Sequence, residues 1–328
     1  MGGTRLTYRL GGALASLALG ACSGPQSTLQ PAGSDARLID TLWWVMFWGS
    51  VVIFLIVMAL VLYATFRPHH RRLPFKGRTL ILVGGIAWPV VTLTALLIYG
   101  VSVGRTITQP VAPEAVRIEV TGHMWWWEVR YPDEGFVTAN EIRVPVGTPV
   151  EIAVDTADVI HSFWVPNLAG KLDMLPGRVN HMRFTAEQPG VYRGQCAEFC
   201  GPQHARMAFY VVVETPEAYA AWVEKEAQPA REPQSELELR GRDAFLGAGC
   251  GACHTVRGTE AAGMLGPDLT HLGGRLSIGA GMFDNNRGTL GGWIVDSQAI
   301  KPGNKMPPFR EFDGETLQAL LVYLESLQ

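Results

Sequence analysis

Sulfur and nitrogen donors crowd one stretch near the middle of this 328-residue chain. Cys196, Cys200, His204 and Met207 follow one another closely, and His161 lies upstream in the run HSFW. Electron-transfer copper sites of the blue type use two His, one Cys and a weak axial Met. Since this stretch contains the same set and one more Cys, two thiolates are available to bridge a second copper ion. The pattern therefore predicts a dinuclear copper centre.

Three other interpretations of these residues stay open on residue types alone. Cys196 and Cys200 could form a disulfide, because exported domains lie in an oxidising compartment. The same donors could hold zinc, although a thioether is a poor ligand for zinc. His161, considered by itself, could be a histidine of the hydrophobic core.

A second redox motif lies in the C-terminal third of the chain. The run from Cys250 through Cys253 to His254 (CGACH) is the attachment pattern of c-type haem, in which both thiols form thioethers and the imidazole binds iron. A zinc knuckle or a redox dithiol is disfavoured, because the His follows at once and no second Cys pair is present. The motif predicts a covalently bound haem c.

Three methionines follow this motif, and cytochromes of this type use Met as the sixth ligand of iron. Met264 follows His254 too closely for the chain to wrap around the ring, and Met282 is the second candidate. Met306 lies much further along, in the proline-stiffened run GNKMPPF ahead of a helical C-terminus. The sequence therefore favours Met306 as the axial ligand.

The copper stretch resembles subunit II of the haem-copper cytochrome c oxidases, with its CuA centre. The resemblance rests on DVIHSFWVPNLAGKLDMLPGR and GQCAEFCGPQHARM, and it extends from the first membrane segment to about Trp222. It implies that copper is bound by His161, Cys196, Cys200, His204, Met207 and the backbone carbonyl of Glu198. It also implies that the Glu198 side chain holds a magnesium ion at the border with subunit I.

The same resemblance implies that electrons reach the copper domain at Trp125, the first of three adjacent tryptophans in GHMWWW. On residue types alone, adjacent tryptophans usually indicate core packing. Met124 stands where the family usually has Gln. Asp158 resembles an acidic residue near the surface that faces the donor, although a turn position explains an Asp here equally well.

Two long uncharged runs, residues 42–66 and 79–104, each exceed the about 20 residues that cross a membrane. The loop between them is basic and contains no acid, so the positive-inside rule places it in the cytoplasm and the rest of the chain outside. Its charges are Arg67, Arg71, Arg72, Lys76 and Arg78. The second run (LVGGIAWP) lacks the Glu that many relatives carry, so no proton uptake is assigned to this chain.

The N-terminus resembles a bacterial lipoprotein signal, with a basic start, a short apolar core and the sequence LGAC. This resemblance implies removal of residues 1–21 and attachment of lipid to Cys22; the alternative is an uncleaved apolar segment. Residues 23–36 are rich in Ser, Pro and Gly, and this composition predicts a flexible tether over residues 22–41.

The remaining chain divides into two predicted domains. Residues 105–226 contain short strand-like runs between Pro and Gly turns, which predict an all-β sandwich, and the resemblance makes it a cupredoxin. The runs are 116–120, 125–131, 141–144, 149–154, 179–184, 190–193 and 208–213, followed by a short helix from 216. After a linker at 227–235, residues 236–328 resemble an all-α class I cytochrome c, with helices at 236–248 and 314–327.

Together these features predict a multidomain chain with a transmembrane helical hairpin and two one-electron centres on the outer side of a bacterial inner membrane. The resemblance implies the electron-transfer subunit of a cytochrome-c oxidase, working with subunit I, further oxidase subunits and a soluble or membrane cytochrome c or another donor. The net charge of −3 does not indicate a nucleic-acid-binding surface, which would be basic. The alternatives are a CuA subunit of a nitric oxide reductase and a membrane-anchored copper chaperone.

Overall fold

The computed structural model describes residues 24–68, 70, 77–110 and 114–328. It contains one compact unit over residues 35–110 and a second that combines the segment up to Ser34 with residues 111–328. The predicted signal segment and Cys22 lie outside the described residues, as do Arg71, Arg72 and Lys76 of the basic loop.

The first unit consists of two apolar helices, α1 (Ser34–Phe66) and α2 (Gly77–Ile107), whose most apolar windows have mean hydropathies of 2.8 and 2.2. Their apolar side chains are exposed within the unit, as expected of surfaces that contact lipid. Residues Ile81–Ala87 of α2 form π-helix, directly ahead of Pro89, which lacks the backbone N–H that a regular helix needs. Both predicted spans are thus helical, and α1 begins eight residues before the predicted run.

The second unit begins with a sandwich of two five-stranded sheets. The strands are β1 (Val116–His123), β2 (Trp126–Tyr131), β3 (Phe136–Ala139), β4 (Glu141–Pro145), β5 (Pro149–Thr156), β6 (His161–Trp164), β7 (Leu172–Met174), β8 (Asn180–Thr185), β9 (Gly190–Cys196) and β10 (Ala208–Glu214). Their order is β3-β2-β1-β5-β8 in one sheet and β4-β10-β9-β6-β7 in the other. The predicted all-β sandwich is confirmed.

The core lies between the two sheets, where alternate residues of each strand point inward. The buried residues include Ile118, Val120, Val150, Ile152 and Val154 from the first sheet and Phe163, Phe209 and Val211 from the second. Trp127 is fully buried among them, and Trp125, which is also buried, precedes β2 in the turn after β1. The strand predicted at 125–131 therefore begins one residue later than predicted, at Trp126.

Three short strands, β3, β6 and β7, were not among the predicted runs. One of them matters for function. Phe163 of β6 pairs with Cys196 of β9, and this pairing brings His161 beside the cysteine. A strand that the sequence did not reveal therefore sets the distance between two predicted copper ligands.

The segment before α1 is attached to the sandwich, so the prediction of a flexible tether is wrong for residues 24–34. The Ala32 N–H donates to the carbonyl of Asn167 at 2.7 Å, and the Glu187 N–H donates to the Ala32 carbonyl at 2.7 Å. The Asn167 side-chain amide donates to the carbonyls of Ser27 and Gln30. Composition suggested freedom here, but backbone hydrogen bonds to β-sandwich loops fix the segment.

The C-terminal part of the second unit is helical. Its helices are α3 (Pro216–Glu226), which packs on the sandwich, and α4 (Glu236–Gly247), α5 (Arg287–Ile300) and α6 (Gly314–Ser326), with a two-stranded hairpin of Ser277–Ile278 and Phe283–Asp284. Ser235 and Asp313 cap α4 and α6 through their side-chain oxygens. The predicted first and terminal helices are confirmed, and α5 was not predicted.

Helices α4 and α6 pack together at a glycine. A Cβ added at Gly241 would lie 2.1 Å from the carbonyl oxygen of Ala319, so only glycine permits this approach. Phe245 and Tyr323 contact each other next to it, with ring centroids 6.0 Å apart. The close contact forms one wall of the domain and leaves a cavity on its inner side.

Candidate copper and haem sites

The predicted copper ligands meet at one end of the second sheet. Cys196 is the last residue of β9, and His161 is the first residue of β6. The connection from β9 to β10 carries the other ligands and folds back on itself, because the Cys196 N–H donates to the Met207 carbonyl at 2.9 Å. The sheet therefore fixes the two ends of the ligand loop.

The donor atoms surround the two sulfurs of the cysteines. Cys196 Sγ lies 3.7 Å from Cys200 Sγ and 3.8 Å from His161 Nδ1. Cys200 Sγ lies 3.7 Å from His204 Nδ1 and 3.8 Å from Met207 Sδ. Each sulfur thus has its own histidine, which fits two metal ions that share both thiolates. A disulfide does not fit, since its sulfurs would be about 2.05 Å apart.

The Glu198 carbonyl completes this donor set. Its oxygen lies 3.1 Å from Cys196 Sγ, on the loop between the two cysteines. The Glu198 carboxylate points elsewhere and lies 3.6 Å from Lys171 Nζ, with 45% of the side chain exposed. Backbone and side chain of this residue therefore face different surroundings, as the two predicted roles of Glu198 require.

Burial and neighbouring groups shift the pKa values of the two cysteine thiols. His161, Cys196, Cys200 and Met207 are buried. The contact with the Cys200 thiol, together with those with His161 and backbone groups, lowers the pKa of Cys196 to about 3. The pKa of Cys200 is raised, because the neighbouring Cys196 ionises first and burial disfavours a second charge. Metal ligands must be thiolates, and two ions would remove this repulsion.

Asp158 contacts His161 on the side of the imidazole that faces away from Cys196. Its Oδ1 lies 2.8 Å from His161 Nε2, which leaves Nδ1 free to face Cys196. Its Oδ2 accepts a hydrogen bond from the Met124 N–H at 2.7 Å. Hydrogen bonds from His161 and from backbone groups outweigh burial and lower the pKa of Asp158. The family resemblance suggested a residue near the donor-facing surface, whereas the structure places the Asp158 carboxylate against the imidazole of His161, a predicted copper ligand.

The candidate haem site is a cavity of roughly 980 Å³, including its open mouth. Apolar side chains dominate its wall, and Cys250, His254 and Met306 all line it. Its charged lining residues are Arg275 and Lys301. A large flat ring with a mostly apolar surface matches this wall, so the residues present fit a haem.

The histidine of the haem motif is held in a fixed orientation. His254 Nδ1 lies 2.7 Å from the Pro267 carbonyl, which accepts its proton and leaves Nε2 for a metal. Gly266 packs against the ring, since a Cβ there would lie 2.7 Å from His254 Cε1. Burial lowers the pKa of His254 and favours the neutral imidazole that iron binds.

Met306 is the one of the three candidate methionines that lines the cavity. Its carbonyl accepts hydrogen bonds from Ser297 Oγ and Gln298 Nε2, both at 2.8 Å, and its N–H donates to Asn304 Oδ1. Met264 is 81% exposed. The loop that carries Met306 is therefore fixed to α5, a helix that the sequence did not reveal.

Trp125 lies between the two sites. Its indole Nε1 donates to the Cys200 carbonyl at 2.8 Å, and its side chain lines the haem cavity. Only 8% of it is exposed, because the haem-binding domain covers it. A Cβ added at Gly303 would lie 3.6 Å from its ring, which shows how closely the two domains meet.

Comparisons with known proteins match both domains that carry these candidate sites. The family described as cytochrome C oxidase subunit II, periplasmic domain, matches residues 136–215, and the cytochrome c family matches residues 239–328. Cytochrome c oxidase subunit 2 of Alkalihalophilus pseudofirmus is 37% identical over 95% of this chain and 94% of its own length. The chain belongs to the cytochrome c oxidase subunit 2 family.

One further sequence and one solved structure of subunit II proteins are also similar to this chain. Cytochrome c oxidase subunit 2 of Bacillus subtilis is 30% identical over 96% of both chains. The solved periplasmic domain of subunit II of cytochrome oxidase from Bradyrhizobium japonicum is 34% identical, covers 36% of this chain and 96% of that domain, and has a TM-score of 0.35.

Family membership confirms the predicted oxidoreductase subunit with a cytochrome c domain and an electron-transfer role. It implies copper in the sandwich and haem in the helical domain, and the two apolar helices make the chain membrane-anchored.

Proposed function

We propose that this subunit passes electrons from an external donor to its own haem c, then past Trp125 to a dinuclear copper centre, and on to subunit I for oxygen reduction. When bound, haem and copper each accept and release one electron at a time. The chain itself supplies position, orientation and exclusion of water. Neither site offers a nucleophile or base beside an open metal position, so bond chemistry belongs to the partner.

One observation carries this proposal: Trp125 contacts both sites. The indole binds the backbone of copper ligand Cys200, and the same ring lines the cavity that fits haem. Because the residue is covered by the haem-binding domain, a second protein has little access to it. The donor therefore delivers electrons to the haem, and the chain carries them inward.

The contacts among the donor atoms and the lining of the haem cavity support the ligand assignments. We propose that His161, Cys196, Cys200, His204, Met207 and the Glu198 carbonyl bind two copper ions. Cys250 and Cys253 form thioethers to haem c, and His254 and Met306 bind its iron.

Further assignments complete the proposal. The exposed Glu198 side chain faces subunit I and supplies one magnesium ligand there. Both redox domains lie on the periplasmic side, with the basic loop in the cytoplasm, and Cys22 carries lipid. Mass spectrometry of the mature chain tests the last assignment, since an intact Met1 would contradict it.

The experiment that tests the electron path is a rate measurement on the purified complex. Haem c is reduced by a light flash, and its reoxidation is followed together with copper reduction. Trp125→Phe removes the hydrogen bond to Cys200, and we expect intrachain transfer to slow by about tenfold or more, the scale on which small misplacements affect rates. Trp222→Phe is the control, because Trp222 packs on Tyr131 and Phe136 in the sandwich. An unchanged rate in Trp125→Phe would contradict this path.

Oxygen consumption by the same complex with reduced cytochrome c tests the overall function. Nitric oxide turnover is measured in parallel, because a copper-containing nitric oxide reductase would have the same subunit architecture. The relatives named above are oxidase subunits, and this favours oxygen as the final acceptor. Nitric oxide turnover without oxygen consumption would reverse the assignment.

A further inference from the structure

The haem-binding domain is fastened to the loop that carries the predicted copper ligands. Gln203 Nε2 donates to the Pro302 carbonyl at 2.8 Å, and Arg206 Nη1 donates to the Ile300 carbonyl at 2.6 Å. These acceptors lie on either side of one residue at the end of α5. That residue is Lys301.

Lys301 is buried where the two domains meet, with 2% of its surface exposed. Its Nζ donates to three backbone carbonyls: those of Trp125 at 2.8 Å, Arg206 at 2.8 Å and Gly279 at 3.0 Å. An ammonium group has three N–H donors and no acceptor. All three donors are therefore used, and each acceptor belongs to a different loop.

The three loops lie along the proposed path of the electron from haem to copper. Trp125 is the residue that contacts both redox sites. Arg206 stands between His204 and Met207, two of the predicted copper ligands. Gly279 belongs to the wall of the haem cavity. A single side chain thus joins the haem cavity, the bridging tryptophan and the copper loop.

We propose that Lys301 is a positioning residue for electron transfer, which holds the haem cavity against Trp125 and the copper-ligand loop through its three hydrogen bonds. The inference rests on the proposed electron path, but it adds a residue that takes no part in binding either metal. It also explains why a long cation occupies a buried position between two domains. A buried charge is costly unless its hydrogen bonds are complete, and here they are.

The surroundings of Lys301 support this role. Lys301 is shielded from water at this part of the interface, and this burial lowers the pKa of its ammonium to about 7. The Ala208 N–H donates to the Ala280 carbonyl at 3.0 Å, one residue from Gly279. This backbone hydrogen bond crosses the same interface, and its amide exchange with solvent reports whether the two domains stay in contact.

The test uses the full oxidase complex with both cofactors, at about pH 6, where the ammonium is protonated. Lys301→Met keeps the length of the side chain and removes all three hydrogen bonds. Lys305→Met is the matched control, because Lys305 lies in the same loop and is exposed. Absorption and paramagnetic resonance spectra first verify that both variants contain haem and copper in wild-type amounts.

We expect Lys301→Met to slow electron transfer from haem to copper about tenfold or more and to increase hydrogen exchange at the Ala208 amide about tenfold. Lys305→Met should leave both quantities at wild-type values. If Lys301→Met changes neither quantity, the positioning role is overturned, while the electron path still stands on the Trp125→Phe result. If exchange rises but the rate is unchanged, fixed contact is unnecessary for transfer, and the role is overturned as well.

A measurement on the wild-type complex covers the case in which Lys301→Met does not assemble. An amine-acylating reagent should modify Lys305 readily and leave Lys301 unmodified until the domains are separated by denaturant. Equal modification of both lysines in the native complex would show that the three hydrogen bonds are not maintained, and the proposal would fail.

Discussion

At the copper site the protein brings the donor atoms themselves into contact, whereas at the haem site it surrounds a cavity. The copper donors are spaced by 3.7–3.8 Å around two sulfurs, and strand pairing sets those distances. The haem ligands lie at distant points of the sequence and share only the wall of one large space.

The difference follows from the size of the two cofactors. A small ion is bound by a few short contacts, so the polypeptide must hold every ligand within a narrow range. A haem contributes a large apolar surface of its own and replaces part of a hydrophobic core. The sandwich therefore has a complete core without copper, while the helical domain needs haem to complete its own.

Loss of haem attachment should give the largest effect. In a variant with Cys250→Ala and Cys253→Ala, we expect the helical domain to lose its cooperative unfolding transition in calorimetry. The part of this cavity that water-sized molecules can fill is about 150 Å³. Left empty at about 24 cal/mol per Å³, it would cost about 4 kcal/mol, which is a large part of the whole stability of a domain.

Copper removal by a chelator is the matched arm of this experiment. The copper-free sandwich should keep its own transition, shifted only by the lost binding energy. A helical domain that unfolds cooperatively without haem, or a sandwich that melts without copper, would contradict the contrast between the two sites.

The next effect concerns the shared thiolates. Cys200→Ser should abolish the mixed-valence signal of the copper pair in paramagnetic resonance while the sandwich stays folded, because a serine oxygen does not bridge two copper ions as a thiolate does. Val191→Ser is the control, since this residue lies on the same strand as Cys196, β9, and is 55% exposed. A persistent mixed-valence signal in Cys200→Ser would rule out two bridging cysteines.

A smaller and more local effect is expected at the haem iron. Met306→Ala should give a high-spin or ligand-exchanged haem, because the sixth ligand is lost while the cavity and His254 remain. Met264→Ala should leave the visible spectrum unchanged, since that side chain points into solvent. Identical spectra for wild type and Met306→Ala would mean that another residue binds the iron.

The smallest effect is expected from the residue that orients a copper ligand. Asp158→Asn removes the carboxylate that accepts the His161 Nε2 proton, and the affinity for copper should fall about 10–100-fold. Competition with a chelator measures this change. Asp155→Asn serves for comparison, because Asp155 binds Thr121 on the neighbouring strand instead. Equal affinities in the two variants would show that His161 needs no support.

The sequence was most informative where chemistry depends on spacing. Both ligand runs and the membrane spans could be predicted, because Cys, His and apolar residues recur at diagnostic intervals. The cupredoxin and cytochrome classes were implied by the resemblance to known families. It was least informative where contacts between distant segments decide. Lys301, an ordinary lysine in a polar loop, has no local pattern that reveals its three acceptors. Asp158 had a suggestive position three residues before His161, yet its role depends on how a turn folds back.

Helix α5 illustrates a different reason for failure. It contains adjacent glycines (RGTLGGWI), which have low helix propensity, and Asp296 interrupts its regular geometry. Packing stabilises it: a Cβ at Gly291 would come within 3.2 Å of Leu321 on α6, so glycine allows the helices to approach. Tertiary contact therefore overrides local preference in the helix that ends at Lys301.

The cover over Trp125 has a consequence for how the oxidase is supplied. Since the haem-binding domain covers Trp125, a soluble electron carrier cannot contact this tryptophan and deliver electrons directly to the copper site. On the proposed path every electron enters through the tethered haem, and the concentration of a soluble donor affects only the rate at which that haem is reduced.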